Sequence, residues 1–254
     1  MAEAEYVRAL DRGLAVLQAF SAQTPVLTVA DAATATGLSR ATARRFLYTL
    51  EQLGFVRASG RGYTLTPKTL SLGYAYLSSL GLGQIAQPRI EGLAAEIQES
   101  VTIATLSGSD FVCVARADAD RVLAARTIVG GTRAAHPSSL GKILLAYLPD
   151  SELDDYFART ELTKYTERTL VNEQQLRAEL AEVRARGWAV SDEEREEGLL
   201  SVGAPIRRND EVIAAINAQS QTARMSLDEM QEKILPRLLE TAAAISADLA
   251  YASH

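Results

Sequence analysis

One stretch, Gly37-Leu38-Ser39-Arg40-Ala41-Thr42-Ala43-Arg44-Arg45-Phe46-Leu47-Tyr48-Thr49-Leu50, constrains the fold of the 254-residue chain more than any other. It reads as a tight turn followed by a basic amphipathic helix. Gly37 can take the left-handed backbone that ends one helix, and Ser39 can cap the next by accepting a backbone N–H. At helical spacing, Ala43, Phe46, Leu47, Leu50 and Leu53 share one face, and Ala41, Arg44, Arg45, Tyr48, Thr49 and Gln52 share the other. Arginine pairs bidentately with guanine or with phosphate, and small residues let a backbone approach base edges, so the outer face suits a DNA groove. In isolation the same pattern also fits a plain solvated helix, because charge runs often mean only solvation. The flanking sequence decides between the two.

Upstream, Val7, Leu10, Leu14, Leu17 and Phe20 recur at helical spacing and predict a helix over 6–20. Ser21 to Pro25 interrupts it. Thr28 is placed to cap a second helix over 29–36 that packs through Val29, Ala32 and Ala33. Downstream, Gly54 ends the basic helix. Residues 55–65 then form two β-prone pieces around Ser59-Gly60-Arg61-Gly62, a hairpin signal. Helix, helix, turn, helix and hairpin in that order make a winged helix-turn-helix rich in α structure. Its contact candidates are Ser39, Arg40, Thr42, Arg44, Arg45 and Tyr48 on the helix and Arg61 at the wing tip. Charge agrees: residues 1–68 hold eight Lys/Arg against five Asp/Glu, a net +3, within a chain of net −6. A basic end on an acidic body predicts that the first segment alone approaches a polyanion, double-stranded DNA.

A helix over 68–82, closed by Gly81 and Gly83, reads as a linker whose Leu, Tyr and Ala content also suits self-association. The expected division is 1–66 for DNA binding, 67–84 for the linker and 85–254 for a second domain. In that domain, helical spacing resumes at 90–98. Strands are predicted at 101–106, 111–117 and 122–127, and residues 130–133 read as a glycine loop. Helices follow over 138–148, 150–159 and 173–186. Next come a strand at 188–190, an acidic loop at 191–197, and strands at 199–206 and 212–218. A long helix over 227–251 closes the chain. Strands joined by short turns and flanked by helices predict an α+β domain around an antiparallel sheet.

Catalytic chemistry finds little support in the residues. His136 and His254 are the two histidines, so no histidine cluster binds metal or relays protons, and no cofactor is expected. Ser138, Ser139 and Ser201 lack an obvious triad. Gly130-Gly131-Thr132 lacks the lysine spacing of a phosphate loop. The run Asp192-Glu193-Glu194-Arg195-Glu196-Glu197 reads as a solvated loop. A lone cysteine, Cys113, excludes an internal disulfide and suits a small core residue. No apolar run reaches the roughly 18 residues of a membrane span, which predicts a cytoplasmic protein that does not engage membranes. The competing reading is a metabolite-binding or enzymatic α+β protein that uses its N-terminal module for protein contacts.

Three separated motifs carry a resemblance over essentially the whole chain. They are Leu38 to Glu51 with Leu53-Gly54-Phe55-Val56; His136-Pro137-Ser138-Ser139-Leu140-Gly141-Lys142-Ile143-Leu144-Leu145-Ala146; and Asp192-Glu193-Glu194 with Gly198-Leu199-Leu200-Ser201-Val202-Gly203-Ala204-Pro205-Ile206. The chain resembles the IclR family of bacterial transcriptional regulators. Ala41 to Leu47, Leu70 to Leu77 and Ala215-Ile216-Asn217 are similar to its PcaR/PcaU/PobR-like branch, regulators of protocatechuate and 4-hydroxybenzoate catabolism. Two places depart from that branch: Ser138-Ser139-Leu140-Gly141-Lys142, where it usually has a Thr-Ser-Met-Gly-Arg type sequence, and Leu199-Leu200-Ser201, where it usually has Leu-Arg-Ser. The resemblance implies palindromic operator DNA, a homodimer or a tetramer built as a dimer of dimers, and a GAF-like domain binding a small organic acid. Carried over by position, the effector site draws on Ser139, Leu140, Leu199, Ser201, Asn217 and Gln219. Arg133 and His136, just ahead of the same helix, are further candidates to pair with an acid.

Overall fold

The computed structural model describes residues 6–21, 23–119 and 128–251. Two compact units emerge, residues 1–76 and 77–254.

The first unit is built on α1 (Arg8–Gln18), α2 (Val29–Thr36) and α3 (Arg40–Gln52), followed by the hairpin β1 (Val56–Ser59) and β2 (Gly62–Leu65). Thr28 and Asp31 form a reciprocal capping box at the start of α2. Gly37 closes α2 with φ +66, and Ser39 Oγ accepts from Thr42 N at 3.2 Å to start α3. Val16, Leu27, Ala32, Ala43, Leu47 and Val56 make the core. Leu27 pairs with Tyr63 as a third strand position beside the hairpin. The turn is two residues long, with Gly60 at φ +58 in its first central position.

Two apolar assignments shift. Leu53 caps α3 and is mostly exposed, because the helix stops one residue earlier. Val7, Leu10 and Leu14 also stand in solvent, so the apolar spacing of α1 is real but this segment packs onto the core through Val16, Leu17, Ala19 and Phe20.

After the 3-10 turn Pro67–Thr69, α4 (Leu70–Leu80) and α5 (Leu82–Ile97) are separated by Gly81 alone, which takes φ +66. Pro88 therefore lies inside α5 instead of ahead of a helix. Burial of Ala86, Ile90, Leu93 and Ala94 on the sheet offsets the one lost helical hydrogen bond.

The sheet has six antiparallel strands, β3 (Ser100–Ser107), β4 (Asp110–Ala117), β5 (Thr132–Ala134), β6 (Ala189–Asp192), β7 (Leu199–Arg208) and β8 (Glu211–Gln221), in the order β5-β4-β3-β8-β7-β6. Residues 130–133 are thus not wholly loop: Thr132 to Ala134 pair with β4 as an edge strand. The strand expected at 122–127 lies outside the described residues. β6 starts at Ala189 because Gly187 ends the preceding helix in the left-handed region and Arg186 binds the Trp188 carbonyl.

Side chains alternate across the sheet. Val101, Ile103, Leu200, Val202, Ile206 and Ile216 face α5 and α10 (Leu235–Tyr251), and Ala104, Phe111 and Ala215 face α6 (Ser139–Ala146), α7 (Asp150–Arg159) and α8 (Glu173–Arg186). Cys113 is buried. α10 continues from the single-turn α9 (Leu227–Glu229) through a π turn, Met230–Ile234. Pro236, with no N–H to donate, follows that widened turn. The fold class read from the sequence holds: a winged helix-turn-helix and an α+β domain with an antiparallel sheet. Among the described residues no helix is long and apolar enough to cross a membrane.

Candidate functional site: a basic helix face and a polar cavity

On α3, every residue assigned to the outer face is exposed, and Tyr48 has 58 % of its surface in solvent. Ser39, Arg40, Arg44, Arg45 and Arg61 are exposed as well, while Thr42 is partly covered through its hydroxyl contact with Ser39, 2.9 Å. None of these arginines takes part in an ion pair among the described residues. The contrast is Lys68, whose Nζ donates to the Leu53 carbonyl at 2.7 Å and so binds the C-terminal end of α3. The first unit therefore presents cations that the fold leaves unneutralised.

In the second unit, one cavity of about 310 Å³ opens between the sheet and the start of α6. Strand alternation sets its floor: Leu199 and Ser201 of β7, Asn217 and Gln219 of β8 and Thr102 of β3 all project to the α6 side. Pro137, Ser138 and Leu140 form the α6 wall. Phe111 and Arg133 come from the adjoining pair β4 and β5, and Ser191, Arg195 and Glu196 come from β6 and the segment after it. α6 is seated tightly. Gly203 approaches so closely that a Cβ there would lie 2.9 Å from the Ser139 carbonyl oxygen, and a Cβ on Gly141 would overlap the Ala135 carbonyl.

Six of the eight expected effector residues line this cavity: Arg133, Leu140, Leu199, Ser201, Asn217 and Gln219. Ser139 does not. It is fully buried behind the wall, with Oγ 2.8 Å from Ser201 Oγ and accepting from Asn217 Nδ2 at 3.3 Å, and it orients two lining residues. His136 does not line it either. Its ring is buried, with Nε2 donating to the Thr163 carbonyl at 3.0 Å, and burial pushes its pKa down. A neutral imidazole with that partner is a structural group.

The acidic run is a solvated loop only at Glu196 and Glu197, which are exposed. Asp192 and Glu193 pair with Arg168, and Glu194 is buried against Lys142. With those acids committed elsewhere, Arg195 has no ion-pair partner among the described residues. Burial, and then the positive charge of Arg133, lower its pKa. Glu196, which lines the same cavity, acts the other way on Arg195, so the lining carries two guanidinium groups to one carboxylate, a balance that favours an anion. Arg195 is a residue the sequence reading missed, along with Thr102, Phe111 and Ser191. The one signal available for it is a lone arginine inside a run of acids.

A winged helix-turn-helix with an exposed basic helix face, joined to an α+β domain with a polar cavity, defines the class: a DNA-binding regulator with a sensor domain. Comparison with known proteins names the family. The sequence matches the IclR helix-turn-helix domain over residues 9–60 and the bacterial transcriptional regulator IclR C-terminal domain over residues 74–247. The Pca regulon regulatory protein of Pseudomonas putida is 40 % identical over 249 residues, 97 % of this chain and 84 % of that one. The p-hydroxybenzoate hydroxylase transcriptional activator of Acinetobacter baylyi is 33 % identical, over 94 % and 90 % of the two chains. The crystal structure of a transcriptional regulator from Rhodococcus sp. RHA1 superposes with TM-score 0.84 at 43 % identity, covering 97 % of this chain and 100 % of the other. The chain belongs to the IclR family of bacterial transcriptional regulators. It binds DNA and carries an effector-binding domain, and its relatives are regulators rather than enzymes.

Proposed function

We propose that the protein is an effector-responsive regulator of aromatic-acid catabolism whose effector is a small aromatic carboxylic acid of the protocatechuate or 4-hydroxybenzoate type. One observation carries the reading: Arg133 and Arg195 line a single cavity in which Glu196 is the one carboxylate beside them, while Asp192, Glu193 and Glu194 are paired with Arg168 and Lys142. Arginine matches a carboxylate bidentately, and Phe111, Leu140 and Leu199 offer apolar surface for a ring beside it. The volume, about 310 Å³, sits at the lower end of the roughly 300–1,000 Å³ typical of small-molecule pockets. The names of the Pseudomonas and Acinetobacter relatives support the aromatic class.

On this reading, Ser39, Arg40, Thr42, Arg44, Arg45, Tyr48 and Arg61 meet the operator. A homodimer, or a tetramer of two dimers, presents paired α3 helices to half-sites about one helical turn apart or a multiple of it. The exposed Leu70, Leu72, Tyr74 and Tyr76 of α4 suit the self-association, with 67–84 acting as linker. Calorimetric titration with 4-hydroxybenzoate, protocatechuate, β-ketoadipate and glyoxylate tests the effector. Heat and thermal stabilisation with a hydroxybenzoate, lost in Arg195→Gln, are expected. No response to any of the four removes the organic-acid reading.

A further inference from the structure

The segment that delivers Arg195 to the cavity is anchored by a charge pair whose two members do not line the cavity. Lys142, on α6, is 2 % exposed and Glu194 is 8 % exposed. Lys142 Nζ pairs with Glu194 Oε1 and donates to the Val190 carbonyl at 3.0 Å. Glu179 stands 4.0 Å away on α8. The backbone bends just before the pair, at Glu193 with φ +55, and Gly198 N closes the bend by donating to Glu193 Oε2 at 2.7 Å. From the α7–α8 connection, Thr166 Oγ1 donates to the Glu193 carbonyl at 2.7 Å and Thr169 Oγ1 to the Glu194 carbonyl at 2.5 Å. Neither Lys142 nor Glu194 lines the cavity, but the next residue, Arg195, does.

A buried ion pair is a weak stabiliser: an apolar pair of similar volume is often as good or better, whereas the charged pair fixes one geometry. Here that geometry holds the carboxylate of residue 194 against α6 while the guanidinium of residue 195 lies on the cavity.

We propose that Lys142 and Glu194 are positioning residues that aim Arg195, and that they thereby set the preference of the sensor domain for an anionic effector over its neutral isostere. This rests on the reading in which Arg195 receives the effector's carboxylate. The pair adds no contact to the ligand. It removes the freedom of the segment that supplies one.

The test titrates the full chain with 4-hydroxybenzoate and with 4-hydroxybenzamide, the same ring without the charge. Wild type should prefer the acid by about tenfold or more, the worth of one charge-assisted hydrogen bond. Lys142→Met with Glu194→Leu removes both charges together, so no buried ion is left unpaired. It should lose most of that preference while amide affinity stays within about twofold, a split that loss of a purely structural pair does not produce. If that variant fails to fold, Glu194→Ala replaces it, because Glu179 can take over Lys142, and the same loss is expected. Arg195→Gln separates the two ideas. Wild type with no preference for the acid, or Arg195→Gln that keeps the preference, overturns the effector reading and this one with it. Loss in Arg195→Gln combined with full preference in the pair variant overturns the positioning role alone.

Discussion

Replacing Arg44 and Arg45 together by alanine should lower the salt dependence of DNA binding without disturbing the fold. Both side chains are exposed on α3 and neither makes an ion pair among the described residues, so nothing in the protein loses a partner. Alanine is the best helix former, so stability should stay within about 0.5 kcal/mol of wild type. The effect on binding follows from counterion release. Each phosphate contact contributes about 0.9 to the slope of log Kobs against log[salt], so a fourfold rise in salt weakens binding about 3.5-fold per contact. For the proposed dimer, two contacts per chain on one duplex give a slope smaller by about 3.6. Fluorescence anisotropy on a fixed duplex between 50 and 200 mM salt measures this, and because the term is independent of sequence the operator need not be known. Arg237→Ala is the control: Arg237 is already tied to Glu96 at 3.0 Å and Glu240 at 2.9 Å, and its loss should leave the slope unchanged. A double-arginine variant with the wild-type slope would refute the assignment of the outer face of α3 to DNA.

Two further outcomes follow from the packing and the charges. Gly141→Ala forces α6 away from the Ala135 carbonyl, an overpacking cost of about 1–3 kcal/mol. The melting temperature of the second unit should fall by about 2–4 °C per kcal/mol, with weakened effector binding, and a variant that melts like wild type would contradict the tight seating of α6. Glu229 is held at a pKa of about 2, against an ordinary 4.5, by Lys233 and by the Ser226 cap. Its contribution to stability is therefore complete above about pH 4.5 and fades as pH falls toward 2, so Glu229→Gln should flatten denaturant midpoints across that window and leave them parallel to wild type above it.

How much of the fold and the cavity is legible in the sequence depends on the range of the forces involved. The winged helix-turn-helix can be read because its determinants are local: a capping threonine, a left-handed glycine, a capping serine and a glycine turn all act within a few residues. The resemblance carries Leu199, Ser201, Asn217 and Gln219 over by position, and spacing agrees only within each strand, since the pairing of β7 with β8 is what puts the two pairs on one face. Arg195 and Glu194 cannot be read in the same way. Their neighbours are acids, which locally signals solvation, and the partner that buries Glu194 is Lys142, 52 residues away in the chain. His136 misleads for the opposite reason: a titratable residue beside a helix start looks functional until burial and the Thr163 carbonyl claim it. On α1, the apolar spacing predicts the helix correctly but not its burial, since periodicity reports a face and not what covers it. Pro88 shows the remaining limit, because tertiary packing of α5 overrides a local break.

The central claim is that one chain links an acid in the cavity to the fit of α3 on DNA, and it is tested most directly by measuring operator affinity as effector is added. With 4-hydroxybenzoate or protocatechuate, the Kd for the protein's own promoter fragment should shift by about 5- to 150-fold, the usual range for coupled sites, and the shift should vanish in Arg195→Gln. An operator Kd that ignores every acid, or one that shifts equally in wild type and Arg195→Gln, would contradict it.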